Sequence, residues 1–311
     1  MNHFLKLLFI LILFQVKGFS QEIELFQQFN GRYDYKAVGN TLNVFENNLF
    51  TTFCETLPSS SAQFYLEDDS STIIAAYLYW AGSGEGDLNV TLSGQSIDAD
   101  SVYNVEYNDP FNGTLVYFSC YADITDFMID NGNMTYELYD LDISNVLTSN
   151  PGYCNNRTNF AGWSIYVIYE NAALPLNQIG LYQGLEIIDR NVQEKTIVID
   201  NLNVLDNENA KIGFLAWEGD NSLNYGESLS INDNILSNPP LNEADNAFNG
   251  TNTFTNSTEF YNCDLDVYNI QDNISIGDTS ATIRLTTGAL DNNGNLQADL
   301  IILNNIITVL N

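Results

Sequence analysis

The chain is punctuated into short apolar or alternating runs separated by clusters of Asn, Asp, Gly and Ser. Such runs cover residues 72–80, 88–92, 115–120, 134–141, 163–169, 179–185, 196–204, 212–217, 281–286 and 300–310. They are rich in Ile, Val, Thr, Tyr and Phe, which suit a pleated, packed surface. The gaps carry residues that close Asx turns or accept a left-handed backbone. No long stretch has apolar residues at helical spacing. One short helix is predicted over 123–130, where Ile124, Phe127 and Met128 share a face. Many short strands between turn signals predict an all-β protein built from antiparallel β-sandwiches of jelly-roll-like type.

The runs also echo one another in order. Tyr77-Leu78-Tyr79-Trp80 corresponds to Phe214-Leu215-Ala216-Trp217, and Tyr117-Phe118-Ser119-Cys120 to Phe260-Tyr261-Asn262-Cys263. Residues 160–165 correspond to 297–302. The offsets are 137, 143 and 137 residues, so the echo keeps its order while loop lengths differ. Recurrence at domain-sized spacing predicts two tandem modules from an internal duplication. The first, with an N-terminal arm, is placed at 21–190 and the second at 191–311, with 191–195 as a polar connector.

The first twenty residues change how the rest is read. Lys6 precedes a ten-residue apolar run, 7–16, too short to span a bilayer as a helix, and Gly18-Phe19-Ser20 follows. This predicts a signal peptide over 1–20, cleavage before Gln21, and a secreted, extracellular or outer-surface protein with no membrane span after cleavage. Removal takes Lys6, Lys17 and His3, the only histidine. Seven basic residues then face 40 acids, a net charge of about −33. That charge repels nucleic acid and anionic membranes and favours cations or basic partners. With 45 % apolar residues, 18 Tyr and 18 Phe, the chain still has ample material for a core.

Four cysteines in an exported chain allow three pairings. Cys54 with Cys154 is favoured, tying the N-terminal segment to the late part of the first module. Cys120 and Cys263 occupy echoed positions and either pair with each other or stay as buried thiols.

Without histidine, Ser-His-Asp and Cys-His catalysis and His-ligated zinc or iron are excluded from the mature chain. A Ser–Lys arrangement would have to use Lys36, Lys195 or Lys211, which read more simply as surface charges. Among 40 acids, a pair at glycosidase spacing carries little information. The glycine-rich stretch 82–86 lacks the Lys-Ser/Thr of a phosphate loop and reads as a hairpin turn. The best ligand candidate is calcium, which takes carboxylate and amide oxygens. One candidate set is Asp206, Glu208, Glu218 and Asp220; a second is Asp291, Asn293, Asn295 and Asp299. Trp80 and Trp217 are candidate sugar-stacking platforms, set against the plainer reading of duplicated core positions; Trp163 reads as core.

Several longer stretches resemble the N-terminal region of large secreted bacterial surface proteins described as gliding-motility-associated or adhesin-like. They are GNTL (39–42), AAYLYWAGSGEGD (75–87), YADIT (121–125), NFAGWSIYVIYE (159–170), LPLNQIGLYQGLE (174–186), LDNENAKIGFLAWEGD (205–220), NPPLNEADNAFNGTN (238–252) and NNIITVLN (304–311). The resemblance implies a β-rich extracellular module of a surface or adhesion protein, with no reaction attached to it. The expectation is a non-enzymatic surface module meeting a glycan or protein partner. Its rivals are a calcium-assisted carbohydrate-binding module and a carboxylate-based hydrolase.

Overall fold

The computed structural model describes residues 21–49, 54–290 and 293–311; residues 1–20, where the sequence predicts a signal peptide and which include His3, and Asp291 lie outside the described residues. Strand accounts for 53 % of the described residues and helix for 6 %, so the fold is all-β. The first half carries β1 (Gln21–Gly31), β2 (Tyr33–Thr41), β3 (Ser59–Phe64), β4 (Thr72–Ser83), β5 (Asn89–Leu92), β6 (Gln95–Asp98), β7 (Ser101–Asp109), β8 (Gly113–Asp123), helix α1 (Thr125–Asn131), β9 (Met134–Tyr139), two short helices, α2 (Ser144–Ser149) and α3 (Gly152–Asn156), and β10 (Ala161–Glu170). Then follow β11 (Asn177–Ile188), β12 (Glu194–Asp200), β13 (Lys211–Trp217), β14 (Ser228–Ile231), β15 (Asn234–Ile235), β16 (Cys263–Asn269), β17 (Ser280–Thr286), a small ribbon of β18 (Ala289–Leu290) and β19 (Leu296–Gln297), and β20 (Ile301–Leu310).

Four larger antiparallel sheets stack face to face. The outer sheet of the first half runs β3-β9-β5-β6 and its inner sheet β2-β10-β4-β8-β7. The inner sheet of the second half runs β1-β11-β20-β13-β16 and its outer sheet β12-β17-β14-β15. Leu181, Leu215, Trp217, Leu265, Ile302 and Ile307 of the second inner sheet join the core formed by the first two sheets. Its opposite face, with Ile212, Phe214, Ala216 and Ile306, packs on Ile197, Ile199, Leu229, Ile231, Ile283 and Leu285 of the last sheet.

This layering explains the two hydropathy patterns. Side chains alternate between the faces of a strand, so an outer strand needs apolar residues only at every second position. Strand β12 alternates in this way, burying Ile197 and Ile199, and β17 buries Ala281, Ile283 and Leu285. The central inner strands are covered on both faces, and their runs are accordingly continuous: every residue of β20 is buried, as are the first eight of β10.

The two halves share their strand order. In the inner sheets β10-β4-β8 corresponds to β20-β13-β16, and in the outer sheets β3-β9-β5-β6 corresponds to β12-β17-β14-β15. Strand β7 has no counterpart; the second half has instead a long excursion between β15 and β16. Sheet membership divides the chain between β10 and β11, since β11 belongs to the second inner sheet, and β1 crosses over to pair with it. Of the predicted connector 191–195, residues 191–193 lie between β11 and β12, while Glu194 and Lys195 open β12 and pair with β17.

A bulge in β20 links the two inner sheets. Ile302 faces the first core while Ile301 and Leu303 face the second. Beyond the bulge Ile307 and Val309 face the first core and Ile306 and Leu310 the second. The register shifts against both β11 and β13 at this point. The extra residue places Asn304 between the inner sheets. Its Oδ1 accepts from Trp217 Nε1 (3.0 Å) and Ser119 Oγ (2.6 Å), and its Nδ2 donates to Gly184 O (2.9 Å).

Cys54 and Cys154 form a disulfide, with Cα atoms 5.5 Å apart, as expected from the sequence. Cys120 and Cys263 are free, buried thiols, so of the two alternatives for them the unpaired one holds. Helix α1 forms where the sequence predicts it, with Ile124 and Met128 in the core and Phe127 packed against it. No helix among the described residues is long and apolar enough to cross a membrane.

Candidate metal centre

The end of β13 and the start of β20 are neighbours because these strands run antiparallel, with Trp217 opposite Ile302. Glu218 and Asp220 follow β13 directly and Asp299 precedes β20, so the pairing brings three acids together. All three are buried, and one carboxylate oxygen of each lies within 4.8 Å of those of the other two. Glu218 adopts a left-handed φ of 74°, unusual for a residue with a side chain, and its N–H donates to Asn262 O (2.7 Å).

Each carboxylate is held by one oxygen and leaves the other without a partner. Glu218 Oε1 accepts from Asn47 Nδ2 at 2.7 Å, Asp220 Oδ1 from Asn262 Nδ2 at 2.7 Å, and Asp299 Oδ1 from the N–H of Leu300 at 2.8 Å. Glu218 Oε2, Asp220 Oδ2 and Asp299 Oδ2 are buried and have no hydrogen-bond partner. Burial pushes all three acids well above the ordinary carboxylate range. Neighbouring carboxylates push further: Asp220 and Asp299 act on Glu218, Glu46 and Asp264 on Asp220, and Asp220 and Glu227 on Asp299.

The surrounding shell draws on both halves. Asn262 is its hub: Oδ1 accepts from Asn43 Nδ2 (2.8 Å) and the N–H of Asn47 (3.1 Å) while Nδ2 holds Asp220. Ser222 donates its N–H to Glu46 Oε1 (2.6 Å) and its hydroxyl to Asn48 Oδ1 (2.9 Å). Glu227, also buried, accepts the N–H of Tyr225 on both oxygens. Asp264 Oδ1 accepts the N–H groups of Gly250 and Thr251 from the excursion, while its Oδ2 is another partnerless oxygen. Gly219 is required between the two acids, because a Cβ there would collide with Asp264 Oδ2 and stand 2.5 Å from Phe248 O.

The structure thus takes Glu218 and Asp220 from one sequence-derived set and Asp299 from the other. Asp206 and Glu208 are exposed and precede β13, whose two ends are about 20 Å apart. They cannot share a cation with Glu218 and Asp220, which corrects the four-residue set. Asn293 and Asn295 are exposed on the loop between β18 and β19. The stacking role for Trp80 and Trp217 is corrected too: both are fully buried, as is Trp163. Trp80 Nε1 donates to Asp87 O, and the Trp217 ring stacks on Phe160, so neither presents a face to a sugar. Lys195 and Lys211 are paired with Glu186 and Asp34, and Lys36 donates to Tyr65 O. Sequence reasoning missed Asn47 and Asn262; the second stands one residue before the echoed Cys263, but nothing local marks it as a tether.

No known family model matches the chain, and no curated protein shows significant similarity to it.

Proposed function

We propose that this is a secreted, non-enzymatic surface module of the adhesion type, built from two copies of one duplicated β-sandwich unit. The observation that carries the reading is a four-layer stack with a disulfide across its first half. Disulfides persist in oxidising, extracellular settings. Two inner sheets buried on both faces make a stiff slab, whose polar outer faces are free to meet partners. The shared strand order of the halves supports the duplication, and the strongly acidic composition suits a soluble exported protein. The motif resemblance to gliding-motility-associated and adhesin-like proteins points the same way. The partner on this reading is a surface glycan or protein.

The test is to treat intact cells with an external protease while trapping free thiols. Cleavage of a protein carrying one disulfide supports the reading. Protection of a fully reduced protein inside the cell refutes it. Deleting the gene should then weaken attachment to surfaces or to other cells, and unchanged attachment would remove the adhesive part of the proposal.

A further inference from the structure

We propose that Glu218, Asp220 and Asp299 form a binding site for one calcium ion, which joins the two halves of the protein at the end of β13. The inference goes beyond the surface-module reading and does not depend on it. It rests on the buried oxygens described above.

A buried polar atom without a partner forfeits its hydration and gains nothing in return. Here three carboxylates each do so with one oxygen, at one point in the fold. The other oxygen of each is fixed by a donor from Asn47, Asn262 or Leu300. Such outer donors orient ligating carboxylates in metal sites. Among the described residues no Lys or Arg forms an ion pair with any of the three acids, so the cluster lacks a counter-charge of its own. A divalent cation supplies it.

The donor chemistry selects the ion. Carboxylate and amide oxygens suit hard cations, whereas zinc and copper favour imidazole or thiolate. Calcium binds oxygens at about 2.3–2.6 Å, so ligands on opposite sides of it stand about 4.6–5.2 Å apart. Magnesium, at about 2.0–2.1 Å, would need a tighter octahedron. Oxygens within 4.8 Å of one another can share one cation, and calcium's flexible shell of carboxylate and amide oxygens suits this mixed set better than magnesium's near-ideal octahedron. A further partnerless oxygen, Asn47 Oδ1, belongs to the same amide that holds Glu218 and is a candidate fourth ligand, with water completing the shell.

The site is also a junction. Asn47 comes from the arm after β2, Glu218 and Asp220 from the end of β13, Asp299 from the approach to β20, and Asn262 from the excursion. An ion there ties the first-half arm to the second-half sheet. The echoed positions of Glu218 and Asp220 in the first half are Ala81 and Ser83, so the first half does not repeat the pair.

The test uses purified protein stripped with a chelator, then titrated with calcium chloride in a calorimeter and followed by thermal unfolding. One calcium should bind, and a hundredfold excess over Kd should raise Tm by about 5–10 °C. Asp299→Asn and Asp220→Asn keep the shape and remove charge, so both should fold, as far-UV circular dichroism in chelator will show. Both should lose most of the calcium shift. A control with Asp206→Asn and Glu208→Gln should keep it in full. The proposal is overturned if stripped wild-type protein neither binds calcium nor gains stability. It is equally overturned if the control loses the shift or if the Asp220 and Asp299 variants retain it.

Discussion

The amide of Asn304 offers a sharp test of the claim that the two inner sheets share one core. Asn304 is fully buried and bonded to Trp217 within its own sheet, to Ser119 in the facing sheet, and to Gly184 in β11. Asn304→Leu keeps the γ-branched outline, though it is bulkier, and removes all three bonds. The Ser119 hydroxyl can rotate, but the Trp217 N–H and the Gly184 carbonyl are fixed and would be left buried and unpaired. At about 1–3 kcal/mol for each fixed group, less a small gain from the added apolar surface, the expected cost is about 3–4 kcal/mol. Ser119→Ala alone should cost about 1 kcal/mol. In the double variant that donor is already absent, so the combined cost should fall short of the sum by about 1 kcal/mol. The assay is guanidinium unfolding of the four proteins, followed by tryptophan fluorescence and far-UV circular dichroism together. One coincident transition is expected, since Trp80, Trp163 and Trp217 all belong to the core that spans both halves. A loss below 1 kcal/mol for Asn304→Leu, or strict additivity with Ser119→Ala, would refute the coupling. So would two separate transitions.

Three further outcomes follow from the structure. The Cys54–Cys154 bridge closes a loop of sequence separation 100, so Cys54→Ala with Cys154→Ala should lower stability by up to about 4.7 kcal/mol; an unchanged denaturation midpoint would show that the bridge constrains little. Burial pushes the Cys120 thiol up to about 12 and raises the Cys263 thiol well above its ordinary range, so a thiol reagent should find neither in the native protein and both in denaturant without reductant, whereas rapid native labelling would contradict their burial. Burial raises Asp266 from 3.8 to about 6, against hydrogen bonds from Thr253, Asn242 and Thr251 that pull it down. Its folded value exceeds its unfolded one, so this contribution is present at low pH and is lost as pH climbs from about 4 to 6. Asp266→Asn, which mimics the protonated acid, should gain stability relative to wild type across that window in pH-resolved melting curves, and parallel curves would refute the assignment.

Much of the fold is a local property of the chain and was legible without coordinates. Alternation in β12 and β17 marks strands with one wet face, and the unbroken runs of β10 and β20 mark strands with none, because side chains on a strand alternate between its faces. The Ile124–Met128 spacing marks α1, and the ordered echo of the inner strands foreshadows the matching topology of the halves. What covers a doubly buried strand is not local. The burial of Trp80 and Trp217 follows from a second inner sheet stacking on the first, and periodicity cannot tell such a neighbour from an aromatic platform facing solvent. The carboxylate cluster is non-local in the same sense. Glu218 and Asp220 announce themselves as neighbours after a strand, but Asp299 joins them only through the β13–β20 register, and Asn47 only through the stacking of the halves. A strand register shifted by one residue would turn those side chains to other faces. The sequence therefore determined the central strands and the faces they bury, while edge strands such as β1, β2 and β7, and which oxygens meet, were decided by the tertiary pairing.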